Sequence, residues 1–205
     1  MALDLNKTVI VDYEAGNIRS VANMLTFLNV PFEITCDKEK IYNAKKIIFP
    51  GQGHFAQAMN NLEKKGLIPV IKECCSMGIP FLGICIGFQI LFEESEEAPG
   101  VDGLGIFKGC VKKFKSGKIP QIGWNKIITT EANTFLKQDY FYFVNSYYVE
   151  PEDKNIISSY CDYNGNFCSS IQKNNITAVQ FHPEKSAKAG MSFFENWING
   201  VLVNG

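Results

Sequence analysis

The sequence predicts an α/β protein: a doubly wound, mostly parallel sheet flanked by helices, with further mixed or antiparallel strands in its second half. Three observations carry this expectation. Up to Phe92, short apolar runs alternate with segments of helical periodicity, the pattern of strands linked by crossover helices. Beyond the acidic stretch Glu93 to Glu97, strand-like runs follow one another without helices between them. A cysteine framed by glycines, Gly83-Ile84-Cys85-Ile86-Gly87, lies where one apolar run meets a helical pattern.

Taken in order, Thr8 to Val11 is an apolar run closed by Asp12 and Gly16, which reads as a buried strand entering a loop. From Asn17, a residue type suited to an N-cap, Val21, Leu25 and Leu28 recur at helical spacing until Pro31. Phe32 to Thr35 and Lys46 to Phe49 are the next strands, the latter ending in Pro50-Gly51-Gln52-Gly53. Ala56 to Lys65 and Leu67 to Met77 are predicted helices, Pro80 to Ile84 a fourth strand and Phe88 to Phe92 helical again. The acidic run reads as a solvated helix end. Strands are then predicted at Cys110 to Phe114, Trp124 to Ile128, Tyr140 to Tyr148, Ile156 to Tyr160, Phe167 to Gln172 and Ile176 to Phe181. A last amphipathic helix, Ala187 to Ile198, presents Met191, Phe194, Trp197 and Ile198 as its buried stripe.

The chain has 205 residues, the length of one domain spanning 1–205, and is 46% hydrophobic and 20% charged, so it is neither disordered nor fibrous. A net charge of -1 with a single arginine, Arg19, argues against nucleic-acid and anionic-membrane partners. Apolar runs such as Ile79 to Ile86 fall far short of the roughly 20 residues of a spanning helix. The start, MALDLNKTVIVDYEAG, lacks the features of a secretory signal, which predicts a cytoplasmic chain. Seven cysteines without CxxC spacing and only two histidines, His54 and His182, predict neither disulfides nor a metal site.

The G-x-C-x-G segment has the form of a nucleophile elbow, a strained turn that projects Cys85 from the carboxyl edge of the sheet, with a following helix N-terminus to favour its thiolate. A thiol nucleophile needs a base, and Phe181-His182-Pro183-Glu184 directly follows a strand. If that strand runs parallel to the one before Cys85, His182 emerges at the same edge and Glu184 can orient it, a Cys-His-Glu triad. Acyl chemistry also needs oxyanion donors, which the amides of Gln52 and Gly53 and that of Ile86 could supply. The G-x-G here lacks the remaining parts of a dinucleotide fingerprint. His54 is assigned to structure.

Together PGQGHF, GICIGFQILFE and FHPEKS resemble the class I glutamine amidotransferases, which hydrolyse the side-chain amide of glutamine and pass on the ammonia. DYEAGNIRSV, LFEESEEAPGVDGLG, IPQIGWN and FVNSYY are most similar to the glutaminase subunits of a heterodimer whose (β/α)8-barrel cyclase makes imidazole glycerol phosphate and an aminoimidazole ribotide in histidine biosynthesis. The resemblance runs from about Val9 to Trp197. It implies that Cys85 is the nucleophile, His182 the base and Glu184 its orienting partner, with the PGQG loop as oxyanion hole. Gly53, Gln89, Ser146 and Tyr147 would hold glutamine, without any cofactor or metal. Asn17, Trp124, Asn125, Tyr142, Asn145 and Lys185 would face the partner or the ammonia entrance. One departure stands out: the family commonly has histidine where this chain has Asn145, which leaves a sugar-amidating paralogue as the alternative. A free-standing thiol hydrolase and a catalytically dead binding subunit are the other readings, separated from the first by activity on esters without a partner and by labelling of Cys85.

Overall fold

The computed structural model describes residues 7–14, 16–132 and 135–200. Residues 1–6, on which part of the secretory-signal reading rests, lie outside them. Among the described residues no helix is long and apolar enough to cross a membrane.

Five strands run parallel: β1 (Thr8–Val11), β2 (Phe32–Thr35), β3 (Lys46–Phe49), β4 (Phe81–Ile84) and β12 (Ile176–Val179), in the spatial order β2-β1-β3-β4-β12. Four of these, all but β2, are almost wholly buried, as a sheet covered on both faces requires. Alternate residues feed two cores. Val9, Val11, Ile47, Phe49, Phe81 and Ala178 join one, with α2 (Lys38–Tyr42), α3 (Phe55–Lys64) and α4 (Ile68–Ser76). Ile10, Ile48, Leu82, Ile84 and Val179 join the other, with α1 (Ile18–Phe27) and α6 (Ala187–Asn199). This is the predicted doubly wound architecture, and it sets the ends of β1, β3, β4 and β12 along one edge, where open α/β sheets place ligands.

Beyond β12 the sheet becomes antiparallel through β11 (Asn166–Lys173), β10 (Ile157–Asp162), β7 (Gln121–Thr129) and β8 (Tyr140–Asn145). β9 (Tyr147–Pro151), β6 (Gly109–Lys113) and β5 (Glu94–Ser95) branch from it. The run predicted as one strand from Tyr140 to Tyr148 is therefore two, broken at Ser146, because β8 pairs with β7 while β9 turns to β6 and β11. The helix expected at Phe88 to Phe92 is the four-residue α5 (Ile86–Gln89).

The acidic run is not a solvated helix end. β5 lies within it, and its carboxylates take up backbone N–H groups: Glu93 from Gly109 at 3.0 Å, Glu96 from Lys113 at 2.8 Å and Glu97 from Phe55 at 2.8 Å. α2 was not predicted; a single turn capped by Asp37, which accepts from the Lys40 amide, has too few residues to show a period. In α6 the buried stripe is Gly190, Phe193, Phe194 and Trp197, rotated from the expected one. Each large side chain there contributes about 1.5–3 kcal/mol by burial. The rotation brings Gly190 against the turn that carries His182: a Cβ at Gly190 would stand 1.8 Å from the Pro183 carbonyl oxygen.

That contact decides the sign of a substitution. Gly190→Ala gains up to about 1 kcal/mol of helix propensity but overpacks backbone, which costs about 1–3 kcal/mol. Urea denaturation is expected to show a net loss near 1 kcal/mol, with an equal or higher midpoint overturning the packing described.

Candidate active site

Cys85 follows β4 with φ 54° and ψ -107°, a conformation that costs a non-glycine residue about 1–3 kcal/mol. Glycines on either side make it possible. A Cβ at Gly87 would lie 2.1 Å from the Phe49 carbonyl oxygen, and one at Gly83 would lie 2.7 Å from the Gly87 oxygen, so strand, elbow and the end of β3 touch through backbone alone. The Cys85 amide donates to Val179 O at 2.8 Å, and its carbonyl accepts from Phe88 and Gln89 at 3.0 and 3.1 Å. α5 is too short to build much of a dipole, so the support it was expected to give the thiolate falls to neighbouring side chains.

His182 lies three residues beyond Val179, the end of the neighbouring parallel strand β12, and is buried. Its amide donates to Tyr142 O at 2.9 Å, and its carbonyl accepts from Ser186 Oγ at 2.7 Å. The ring Nδ1 lies 2.7 Å from Glu184 Oε1, which leaves the opposite nitrogen for Cys85, its hydrogen-bond partner on the other side. Burial disfavours the imidazolium, but the Cys85 charge and hydrogen bonds to Cys85 and Glu184 outweigh it and raise the His182 pKa to about 10. These contacts favour the charged form of the His182 ring.

Asn17, predicted as a helix cap facing a partner, sits at the N-cap position of α1 but makes no side-chain capping bond. With φ 78° its amide turns inward and donates to Glu184 Oε1, with the His182 ring nitrogen 3.3 Å away. It shares Glu184 Oε1 with the ring, while the buried Oε2 has no hydrogen-bond partner among the described residues.

A cavity of about 240 Å³, the volume of roughly eight waters, opens over Cys85 and is lined by Gln52, Gly53, Ile86, Gln89, Glu97, Asn145, Ser146 and Tyr147, among others. The expected oxyanion and substrate residues therefore all meet at one site. Asn145, expected at a partner face, is also a wall of this cavity, buried and donating to Tyr147 O at 3.0 Å. Trp124, Asn125, Tyr142 and Lys185 do not line it. Trp124 packs edge-on against Tyr142 at 5.9 Å, and Lys185 is exposed beside a separate groove that reaches Glu184 from behind. His54 caps α3, its ring accepting from the Ala56 amide at 3.2 Å.

Three residues were missed by sequence reasoning. Glu97 was lost in the acidic run. Tyr13, stacked on Phe49 at 4.6 Å, donates to Pro50 O at 2.7 Å and so braces the Pro50 to Gly53 loop; its phenol is held neutral by burial and by Cys85. Gln180 donates to Cys85 Sγ at 3.7 Å. Its place two residues before His182, just beyond the end of β12, was the available clue.

Residues 9–200 match the family model for Glutamine amidotransferase class-I. The imidazole glycerol phosphate synthase subunit HisH 1 of Methanococcus maripaludis is 42% identical over 198 residues, covering 92% of this chain and 97% of its own. The HisH subunit of Moorella thermoacetica is 41% identical over 199 residues, covering 95% and 94%. Among solved structures, a glutamine amidotransferase superposes with a TM-score of 0.76 at 16% identity over 93% of this chain and 97% of its own. PurLQS from Thermotoga maritima gives 0.73 at 18% over 95% and 98%. At those identities the structures speak for the fold alone.

The raised His182 pKa has a signed consequence for stability. A folded-state value of about 10 against 6.5 unfolded means that the stabilisation from the charged ring is complete below pH 6.5 and lost as pH rises through about 10. Urea unfolding of wild type and His182→Gln between pH 5.5 and 10.5 should show a gap that is widest at the acid end and closes toward pH 10; a gap that widens with pH contradicts the assignment.

Proposed function

The chain belongs to the class-I glutamine amidotransferase family, and from that premise we propose that it is the glutaminase subunit of imidazole glycerol phosphate synthase, hydrolysing glutamine through Cys85, His182 and Glu184 and delivering ammonia to a (β/α)8-barrel cyclase. The observation that carries this reading is the triad itself: a strained, buried cysteine facing a histidine that is bound to a buried carboxylate, beside a cavity of amino-acid size. The chain's similarity to HisH subunits along nearly its whole length supports the histidine-pathway assignment.

In the proposed reaction the Cys85 thiolate attacks the carboxamide carbon of glutamine. The developing oxyanion is met by main-chain donors of the Gln52–Gly53 loop and of Ile86. His182 passes its proton to the departing nitrogen, the C–N bond breaks, ammonia leaves and a glutamyl thioester remains. Water then gives a proton to the neutral imidazole as its oxygen attacks the thioester, the C–S bond breaks with its electron pair returning to sulfur, and glutamate departs. Glu184 keeps the ring's Nδ1 protonated throughout, so that the other nitrogen does the transfer. At the cavity wall, Gln89 has its nitrogen committed to Tyr147 O and Gln180 Oε1, which leaves its own Oε1 to accept from the substrate ammonium. Glu97, also in the wall, supplies the complementary negative charge.

The outward face of β7 and β8 supports the partner assignment. Ile122, Trp124 and Tyr140 are 58%, 49% and 54% exposed on adjacent strands, an apolar strip of the kind that marks an interface. It adjoins Tyr142, whose backbone holds both His182 N and Ser186 Oγ, so a protein seated there bears on the base.

Two outcomes test the reading. In complex with the cyclase, Cys85→Ala should lower glutamine-dependent turnover by about 10⁴-fold or more while turnover with ammonium salts stays at the wild-type rate; loss of both contradicts the division of labour. Trp124→Ala should weaken the complex by about 2 kcal/mol, roughly 30-fold in Kd by titration calorimetry, with the unfolding midpoint of the free chain unchanged. An unaltered Kd removes the strip from the interface.

A further inference from the structure

The amide of Gln180, wholly buried, joins the nucleophile to the far wall of the cavity. Its Nε2 donates to Cys85 Sγ at 3.7 Å and its Oε1 accepts from Gln89 Nε2 at 3.0 Å. The same Gln89 nitrogen donates to Tyr147 O at 3.1 Å, and Asn145 Nδ2 donates to that carbonyl at 3.0 Å. The polarity of this chain of amides is fixed from one end. A main-chain carbonyl can only accept, so Gln89 must turn its nitrogen toward Tyr147. That nitrogen also faces Gln180, which must therefore present oxygen to Gln89 and nitrogen to the sulfur. The Gln180 backbone is pinned as well, its amide donating to Ser169 O at 2.8 Å.

We propose that Gln180 is a donor to the reacting sulfur beside His182, an N–H group that favours the Cys85 thiolate and fixes it against the glutamine-binding wall. This deepens the glutaminase reading and rests on it. A hydrogen bond to the charged form of an acid favours that form. The other groups facing Cys85 do not compete for the role. Tyr13, from the loop after β1, has its hydroxyl committed to Pro50 O; Glu97, across the cavity, only accepts; Tyr147 offers its carbonyl to Gln89 and Asn145. His182, from the turn after β12, is the second donor, but it gives its proton away during turnover. Gln180 keeps its own. In the thioester the sulfur carries no charge and the contact is weak. When the C–S bond breaks and the electron pair returns to sulfur, Gln180 meets the leaving thiolate while His182 is occupied with the proton of water.

The experiment uses Gln180→Met, of equal length without a donor, and Gln180→Glu, of equal shape but turning an acceptor toward the sulfur. Folding is checked by urea denaturation. The readout is the pH dependence of Cys85 alkylation by iodoacetamide in the isolated chain, followed by peptide mapping so that the exposed Cys36 and half-buried Cys110 do not contribute. Gln180→Met should slow alkylation at pH 7 roughly tenfold and move the midpoint of the profile upward by about one pH unit; Gln180→Glu should move it further. A folded Gln180→Met protein with the wild-type rate and midpoint overturns the proposal, as does a wild-type midpoint in Gln180→Glu should the methionine variant not fold. A purely structural role would lower stability or raise KM without moving the midpoint. Because iodoacetamide needs neither glutamine nor a partner, failure of the wild-type complex to hydrolyse glutamine would sink the functional reading and leave the alkylation result on Gln180 standing.

Discussion

The contact on which this structure turns is between two backbones: the Phe49 carbonyl, at the end of β3, against Gly87, two residues beyond the nucleophile. No side chain fits there. Because the gap admits only glycine, the end of β3 and the start of α5 lie side by side, and the Pro50 to Gly53 loop is delivered over Cys85. Gly51 continues the same seam, since a Cβ there would stand 2.5 Å from the Tyr13 hydroxyl and 2.6 Å from Ile86 Cγ2. Positive φ at Cys85 is the cost of turning the chain so sharply, about 1–3 kcal/mol. The elbow's own backbone bonds and the buried strands on either side over-determine the turn and hold it.

The second constraint is electrostatic. Glu184 and His182 are both removed from solvent, and burying an ion pair seldom stabilises a fold more than packed apolar groups would. Their retention is explained by chemistry, not stability. The sequence around them shows how the cost is contained. Asn17 gives up its ordinary work at the start of α1 to donate to the carboxylate, Ser186 bridges His182 O and the Tyr142 amide, and Gly190 lets α6 close on the Pro183 carbonyl. Asn17, read from the sequence as a helix cap, thus joins Ser186 and Gly190 in the scaffold around the buried pair.

What was legible in the sequence follows from the range of the interactions involved. Strands β1, β3, β4 and β12 are buried on both faces and read as apolar runs, and the Cys85 elbow is written in local glycine spacing, so both were found. The meeting of Cys85 with His182 could be inferred because it needs only two parallel strands ending at one edge. Contacts that depend on where distant segments lie left no local pattern. Glu93, Glu96 and Glu97 looked like a solvated run because their partners, the amides of Gly109, Lys113 and Phe55, are set by the pairing of β5 with β6 and by the approach of α3. The break at Ser146 was hidden because β8 and β9 both carry tyrosine pairs and a valine in one strand-like run, and only their different partner strands divide them. Gln180, an ordinary polar residue at the end of a strand, is identified by what its amide touches.

That break also separates two tasks within one short stretch of chain. On β8, Tyr140 and Tyr142 belong to the outward strip, whereas Asn145, Ser146 and Tyr147 wall the cavity. Asn145 stands where the resemblance to the family implies a histidine, and its surroundings show what an asparagine does there. Its nitrogen joins Gln89 on the Tyr147 carbonyl, while its oxygen is buried with no hydrogen-bond partner among the described residues, opposite the buried Gln121 on β7. An amide pair here keeps hydrogen-bonding capacity at the wall without adding a group that titrates near neutrality. Asn145 therefore takes no part in proton transfer, which the proposed mechanism assigns to Cys85 and His182.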